Sequence, residues 1–298
     1  MVESSDTRKD GLPPAPFIVG APRSGTTLLR LMLDAHPEIS IPPETHFIPD
    51  LLPLERGRKF FIRNRFYKTV VGSRRWKDFH IDPKEFRKAL KAIRPFNLPD
   101  GLRCFYEIYI SRFDKPRWGD KTPAYISYMT DIQEVVPEAR FIHIIRDGRD
   151  VALSLEGFRW GTTRGVSVRA NQWLRNVGEG RRQAGSCRHY MEVRYEELVT
   201  DTTAVLEKIC EFIELPYSPE MENYHASAEK RLDEFGDIHR SSGRVTAKKE
   251  DRLAIHRLTS SPPDPSRIGA WKKEMSEEDR RSFEAVAGEM LRDLGYET

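Results

Sequence analysis

Gly20 and Gly25 have the spacing of the glycines in a phosphate-binding loop, but Thr26 stands where such a loop carries its lysine. In ATP-binding loops that lysine contacts the β and γ phosphates, and the next hydroxyl helps to hold Mg²⁺. This loop instead offers backbone N–H groups, the hydroxyls of Thr26 and Thr27, and the guanidinium of Arg23. These groups suit a compact anion. The loop therefore predicts a nucleotide site that is not an ordinary ATP site.

A second cationic position follows a later apolar pattern. Residues 141–145 predict a buried strand, and Arg146 stands where P-loop NTPases commonly place an aspartate that helps to hold Mg²⁺. Ser154 follows eight residues later in a predicted helix. Together Arg146 and Ser154 predict a second anion site, so a nucleotide with phosphates on both the 5′ and 3′ sides of its ribose would satisfy both sites. Taken alone, Arg146 would more often pair with Asp147 or Asp150.

Short apolar patterns predict the elements that position the loop. Residues 17–20 have the pattern of a buried strand, and residues 26–35 have apolar side chains at helical spacing. The loop is thus predicted as a turn from a strand into a helix. The alternative interpretation is a glycine turn in which Thr26 or Thr27 caps the helix.

The remaining patterns predict an α/β protein. A third strand is expected at 191–193. Further helices are expected at 83–93, 124–136, 147–155, 167–182, 200–213 and 276–294. This alternation predicts a P-loop-like three-layer fold with a central parallel sheet flanked by helices. We expect a disordered tail at 1–15, one domain at 16–298, and a lid or substrate loop in the irregular segment 232–267.

Composition excludes several classes of protein. The chain of 298 residues has 49 Lys+Arg against 46 Asp+Glu, a net charge of +3, so it lacks the excess expected of a protein that coats DNA. Its three cysteines show no spacing of a disulfide framework or zinc site, and His36 and His46 lack a convincing third ligand, so no metal is predicted. No leader or membrane span is evident, and we expect a soluble, cytoplasmic protein.

Four segments in order resemble the protein-tyrosine sulfotransferases and, more loosely, the heparan-type sulfotransferases. They are PRSGTTLLRLMLDAHPEI with PPETHFIP, FIHIIRDGRDVALSL, VRYEELVTD, and IGAWKKEMSEEDRRSFEAVAGEMLRDLGYE. The resemblance implies transfer of a sulfuryl group from 3′-phosphoadenosine 5′-phosphosulfate (PAPS) to a hydroxyl acceptor, which leaves PAP.

The resemblance also implies roles for individual residues. The 5′ phosphosulfate would be held by Arg23, Ser24, Gly25, Thr26 and Thr27; Arg146 and Ser154 would hold the 3′ phosphate, and Tyr195 would lie against the nucleotide. Glu44 matches the family's catalytic base, and Lys121 matches a lysine that supports the leaving group. Fixed cations such as Arg23 and Lys121 can take the place of a metal in this chemistry. His46 is the alternative base.

Two other functions remain open from the sequence. One is a P-loop kinase that transfers phosphoryl groups, and the other is a non-catalytic binder of an anionic nucleotide or polysaccharide. The acceptor is open too: walls expected from residues 48–76, 158–169 and 232–267 suit a small molecule, lipid, glycan or peptide, and no nucleic acid partner is expected. Near the C-terminus, either Arg267 or Lys272 is expected to supply a cation to the nucleotide.

Overall fold

A four-stranded parallel sheet forms the centre of the computed structural model, which describes residues 11–55, 61–156, 165–239 and 244–298. The strands are β1 (Ala15–Gly20), β4 (Asp120–Lys121), β5 (Ala139–Ile145) and β6 (Tyr190–Arg194), in the order β4-β1-β5-β6. Phe17 pairs with Phe141 on one side and with Asp120 on the other. Two smaller sheets join β2 (Ile39–Ser40) to β3 (Arg117–Trp118) and β7 (Ile238–His239) to β8 (Val245–Ala247).

Helices surround this sheet along the described chain. They are α1 (Thr26–Ala35), α2 (Ile48–Glu55), α3 (Ile62–Val71), α4 (Pro83–Ala92), α5 (Leu98–Ser111), α6 (Met129–Val135), α7 (Gly148–Glu156), α8 (Val166–Ala184), α9 (Tyr195–Thr200), α10 (Thr202–Phe212), α11 (His225–Leu232), α12 (Lys249–Ile255), α13 (Trp271–Glu274) and α14 (Glu277–Asp293). Within the described residues, no helix is both long enough and apolar enough to cross a bilayer.

Both faces of the sheet are covered, as the continuous apolar strands predicted. Phe17 and Val19 point into a core formed with α2–α6, whereas Ile18 points into a second core formed with α1 and α9–α11. Successive side chains of a strand face opposite sides of the sheet, so one short apolar run supplies both cores. The predicted three-layer α/β fold is confirmed.

Two predicted helices differ from the structure. The single helix expected at 124–136 is a 3₁₀ helix, Pro123–Ser127, followed by α6, and Tyr128 between them has a non-helical conformation. The helix expected at 200–213 is interrupted near its start: Thr200 ends α9, and α10 begins at Thr202. Asp201 between them has φ and ψ of −135° and 57°. An apolar pattern does not reveal a one-residue break of this kind, because the side chains on both sides still face the core.

Other predicted boundaries lie close to the observed ones. The first strand begins at Ala15, one residue before the expected domain start. Residues 1–10 of the expected tail, 240–243 of the expected lid, and 56–60 and 158–164 of the expected acceptor walls lie outside the described residues.

A buried network of charges joins α1 to α11. The guanidinium of Arg231 donates to both carboxylate oxygens of Asp34, at 2.6 and 2.8 Å, and to Glu234 at 3.0 Å. Arg30 also pairs with Glu234 at 3.4 Å, and Tyr109 donates to the same carboxylate. Every member is buried. The network therefore fixes the helix that follows the glycine loop to the segment that precedes β7.

We expect Arg231→Ala to destabilise the fold by about 3–5 kcal/mol, because it leaves two buried carboxylates without their main partner. The matched control is Arg181→Ala, which removes the exposed pair with Glu192 and should cost at most about 1 kcal/mol. Urea unfolding measures both free energies. Equal losses in the two variants would contradict a structural role for the network.

Candidate active site

A cavity of about 360 Å³ lies at the carboxyl ends of the sheet strands. The glycine loop follows β1, Lys121 ends β4, Arg146 follows β5 and Tyr195 follows β6. Ligands of open parallel sheets bind at this edge. The cavity is lined by Pro22, Arg23, Gly25, Thr26, Thr27, Leu28, Glu44, His46, Arg75, Lys121, Pro123, Ala124, Arg146, Ser154, Tyr195, Tyr224, Phe235, Ile238, Arg252, Ile255, His256, Leu258, Thr259, Pro263, Asp264 and Arg267.

The glycine loop has the backbone conformation of an anion cradle. Gly25 precedes α1 with φ of 100°, a left-handed conformation that favours glycine. A Cβ at this position would lie 2.4 Å from the ring of Tyr195, so the aromatic side chain packs directly on the loop backbone. Arg23 also has positive φ, at 70°. The loop therefore presents the N-terminal N–H groups of α1 to the cavity.

Arg23 connects the two anion sites that the sequence predicted separately. Its Nε donates to Ser154 Oγ at 3.0 Å, and its carbonyl accepts from Arg146 at 3.4 Å. Burial first, and then repulsion by Arg146, lower the pKa of Arg23 to about 10. The two guanidinium groups thus lie in one region of concentrated positive charge.

The C-terminal segment holds Arg146 in place. Arg146 donates to the carbonyl of Arg267 at 2.8 Å and lies over the Tyr195 ring at 4.4 Å. Asp150 accepts from the backbone N–H groups of Gly269 and Trp271 at 2.8 and 2.9 Å. Asp150 in α7 therefore anchors the segment 267–271, and the carbonyl group of Arg267 in this segment orients Arg146.

A second group of side chains surrounds Glu44. Lys121 Nζ donates to Glu44 Oε1 at 2.8 Å and to Thr27 Oγ1 at 3.3 Å. The other carboxylate oxygen, Oε2, lies 3.1 Å from Arg75 and 2.8 Å from Nε2 of His46. Lys121 is buried, whereas Glu44 keeps one fifth of its side chain exposed. The carboxylate therefore sits between the loop and the open side of the cavity.

Electrostatics keep Glu44 ionised. Burial alone would raise its pKa, but the charge of Lys121, followed by that of Arg75 and by the hydrogen bond from His46, holds the pKa well below its usual value. A carboxylate in this state accepts hydrogen bonds and cannot donate one.

A larger cavity of about 1320 Å³ adjoins the first and shares His46, Arg75 and Ile238 with it. Its wall consists of residues from α2, α3, the segment before Trp76, and the β7–β8 hairpin with the start of α12. Lys68, Arg74, Arg244 and Lys248 supply cations, and Asp50 and Asp251 supply carboxylates. Glu44 thus lies at the boundary between a smaller, partly enclosed cavity and a broad, mainly basic one.

The model of the family described as "Sulfotransferase family" matches residues 14–219. The chain belongs to the sulfotransferase family. It is therefore a PAPS-dependent sulfotransferase, an enzyme, as its motifs predicted. Family membership decides against the kinase and the non-catalytic binder.

Curated relatives extend the similarity over almost the whole sulfotransferase. Protein-tyrosine sulfotransferase A of Caenorhabditis elegans is 26% identical and is matched over 98% of this chain and 70% of its own length. Protein-tyrosine sulfotransferase 1 of Danio rerio is 24% identical over 95% of this chain and 72% of its own length. Among solved structures, the sulfotransferase domain from the curacin biosynthetic pathway aligns with a TM-score of 0.57 at 20% identity, covering 96% of this chain and 99% of that domain. This last similarity shows a common fold.

The sulfotransferase brings nearly all the predicted site residues to one cavity. Ser24 is the exception: it is completely buried and does not line the cavity, and its Oγ has no hydrogen-bond partner among the described residues. Between the two C-terminal candidates, Arg267 lines the cavity, while Lys272 does not and pairs with Glu297.

Arg75, Arg252 and His256 of the sulfotransferase line the cavity but were not predicted individually from the sequence. They lie in the segments 48–76 and 232–267, which were expected only as walls of the acceptor site. The charged, irregular character of 232–267 was the signal that pointed to the segment, but nothing in its pattern distinguished these side chains from its other charges.

We expect Lys121→Met in the sulfotransferase to raise the pKa of Glu44, because burial would then be opposed by fewer positive charges. Carboxyl ¹³C NMR over a pH titration measures the shift. Lys272→Met, which removes an exposed cation outside the cavity, should leave the Glu44 titration unchanged. A Glu44 pKa that is the same with and without Lys121 would contradict the pairing.

Proposed function

We propose that this cavity binds PAPS with its two anionic ends on the two cationic sites and transfers the sulfuryl group to a hydroxyl presented beside Glu44. The observation that carries this proposal is the hydrogen bond from Arg23 to Ser154, which joins the glycine loop to the helix after β5. It supports one ligand that spans both sites. The 5′ phosphosulfate is assigned to Arg23, Thr26, Thr27 and the loop backbone, and the 3′ phosphate to Arg146 and Ser154.

Buried polar atoms fit such a ligand. Nε of Arg146 is buried with no hydrogen-bond partner among the described residues. Buried donors without a partner cost free energy, and an anion bound beside this guanidinium would offset that cost. The packing of Tyr195 against Gly25 leaves an aromatic surface near the loop, which suits a nucleoside.

The bound donor would supply a sulfuryl group that is already activated by its phosphate leaving group. In the transfer, the bond from sulfur to the phosphate oxygen breaks as the bond from sulfur to the acceptor oxygen forms. Lys121 and Arg23 stabilise the charge that develops on the phosphate. Glu44 accepts the proton that the acceptor hydroxyl loses. His46, which contacts the same carboxylate, orients it and is exposed toward the acceptor side.

For the acceptor, we propose the hydroxyl of a tyrosyl side chain in a peptide. The named relatives are protein-tyrosine sulfotransferases. The broad cavity next to Glu44 has room for an extended chain, and its excess of cations favours a peptide with acidic residues near the tyrosine.

The two-phosphate site predicts tight binding of PAP, measured by titration calorimetry. We expect Arg146→Ala to weaken PAP binding about 10- to 100-fold, because a charge-assisted hydrogen bond is worth about 1.5–3 kcal/mol. We also expect Arg267→Ala to weaken it, since this residue lines the cavity and its guanidinium, now paired with Glu274 at 3.1 Å, is a cation near the site assigned to the 3′ phosphate.

Lys272→Ala is the matched control, as it removes a cation of the same segment that pairs with Glu297 outside the cavity. Wild-type affinity in the Arg146 variant, or an equal loss in the Lys272 variant, would contradict the assignment of the 3′ phosphate.

Replacement of the base should separate chemistry from binding. Glu44→Gln keeps the shape of the side chain but removes its basicity, so we expect kcat with PAPS and a tyrosyl peptide to fall by about 10²–10⁴. The affinity for PAP should stay near that of the wild type. Glu38→Gln, an exposed carboxylate, is the control. Full turnover by Glu44→Gln combined with loss of turnover in His46→Asn would identify His46 as the base instead.

A further inference from the structure

One imidazole in the cavity has no part in the roles assigned so far. His256 follows α12 and lines the same cavity as Glu44, Lys121 and Arg23. Its backbone is fixed, since its N–H donates to the carbonyl of Leu253 at 2.9 Å and its carbonyl accepts from the Thr259 hydroxyl at 2.7 Å. The ring lies 5.5 Å from the ring of Phe235. A half-buried side chain is thus held at a defined place on the cavity wall.

The ring nitrogens of His256 differ from those of two histidines that are hydrogen-bonded into the fold. Within the described part of the chain, neither nitrogen of His256 has a hydrogen-bond partner. By contrast, a ring nitrogen of His36 contacts the carbonyl of Pro216 at 2.8 Å, and one of His143 contacts the Tyr190 hydroxyl at 2.7 Å. His256 thus places two nitrogens without a partner among the described residues on the wall of the cavity that Glu44, Lys121 and Arg23 also line.

The charge state of this ring follows from its surroundings. Burial first, and then the positive charges of Lys121 and Arg23, lower the pKa of His256 well below its ordinary value. The imidazole is therefore neutral at physiological pH. It offers one N–H donor and one acceptor without adding another cation to the cavity.

We propose that His256 is a further catalytic residue, whose N–H donates a hydrogen bond to a non-bridging oxygen of the sulfuryl group during transfer. The proposal rests on the proposed function, because it needs the phosphosulfate beside Arg23 and Lys121. The bonds made and broken are unchanged: sulfur passes from the phosphate oxygen to the acceptor oxygen, and the proton goes to Glu44. His256 keeps its own proton and stabilises charge on the oxygens that move with sulfur.

A buried ion pair places this residue. Arg252, one turn before His256, donates to both carboxylate oxygens of Asp78 at 3.0 and 2.6 Å and to the carbonyl of Gly236 at 2.6 Å. Arg252 and Asp78 are both buried. The pair joins α12 to the 3₁₀ helix Trp76–Phe79, which directly follows Arg75. The wall that carries His256 is thereby fixed relative to a side chain that contacts Glu44.

Single-turnover release of labelled sulfate from PAPS, with enzyme in excess and water as the acceptor, tests the role without knowledge of the natural acceptor. We expect His256→Phe to lower the rate constant about 10²-fold, as is typical for the loss of one transition-state donor. His256→Gln retains a neutral N–H and should recover a large part of the rate. Arg257→Ala, an exposed neighbour outside the cavity, should behave as the wild type.

Two readouts besides turnover complete the test. The affinity of His256→Phe for PAP should equal that of the wild type, which also establishes that the variant is folded. In ¹⁵N-histidine NMR, the His256 resonance, assigned with His256→Gln, should show a neutral ring from pH 6 to 8 and should shift when PAPS is added.

The outcomes separate this inference from the function on which it rests. An unchanged rate in His256→Phe, or a rate that falls only in proportion to PAP affinity, would overturn the catalytic role and leave the sulfuryl transfer intact. A wild-type protein that binds no PAP would overturn the proposed function itself, and this inference with it.

Discussion

Concentrated positive charge in one partly enclosed cavity is the constraint on which the site depends. Burial, and then repulsion by the nearby Arg146, lower the pKa of Arg23 to about 10, and buried Lys121 adds a third charge nearby. Such a cluster is costly when it is empty, because burial removes water from each cation. The sheet, the glycine loop and the C-terminal segment hold the cluster together, so the fold maintains an arrangement that a dianionic or more highly charged ligand would stabilise.

The interaction of Lys121 with Glu44 links this charge to the chemistry. In the structure, Lys121 divides its hydrogen bonds between Glu44 and Thr27. An anion bound at the loop would compete for the same ammonium group, and the pKa of Glu44 would then rise toward its ordinary range because its strongest counter-charge is shared. A carboxylate with a higher pKa is a stronger base. Donor binding would thus raise the basicity of Glu44, the base proposed for the transfer.

Local sequence patterns predicted the parts of the site that lie on regular elements. The glycine loop follows β1, Arg146 follows β5, and Ser154 lies in α7. Strand and helix geometry alone sets their positions relative to those elements. The Asp78–Arg252 pair joins the two segments of the cavity wall that carry Arg75, Arg252 and His256. Its two members are 174 positions apart in the sequence, and no periodicity reveals such a contact. The break at Tyr128 was missed for a similar reason, since its backbone conformation leaves the apolar pattern intact.

The two adjoining cavities account for the position of Glu44, the proposed base. In-line transfer needs the acceptor oxygen on the side of sulfur opposite the leaving phosphate. The smaller cavity holds the cations assigned to the donor, and the larger one is open to an acceptor; Glu44 contacts Lys121 on the first side and His46 and Arg75 at the boundary. A hydroxyl that enters from the larger cavity therefore meets the carboxylate before it reaches the donor site. His256 lines the same smaller cavity. In the proposed transfer it would act there as a neutral donor, which can stabilise the moving group without repelling the cations assigned to the phosphate.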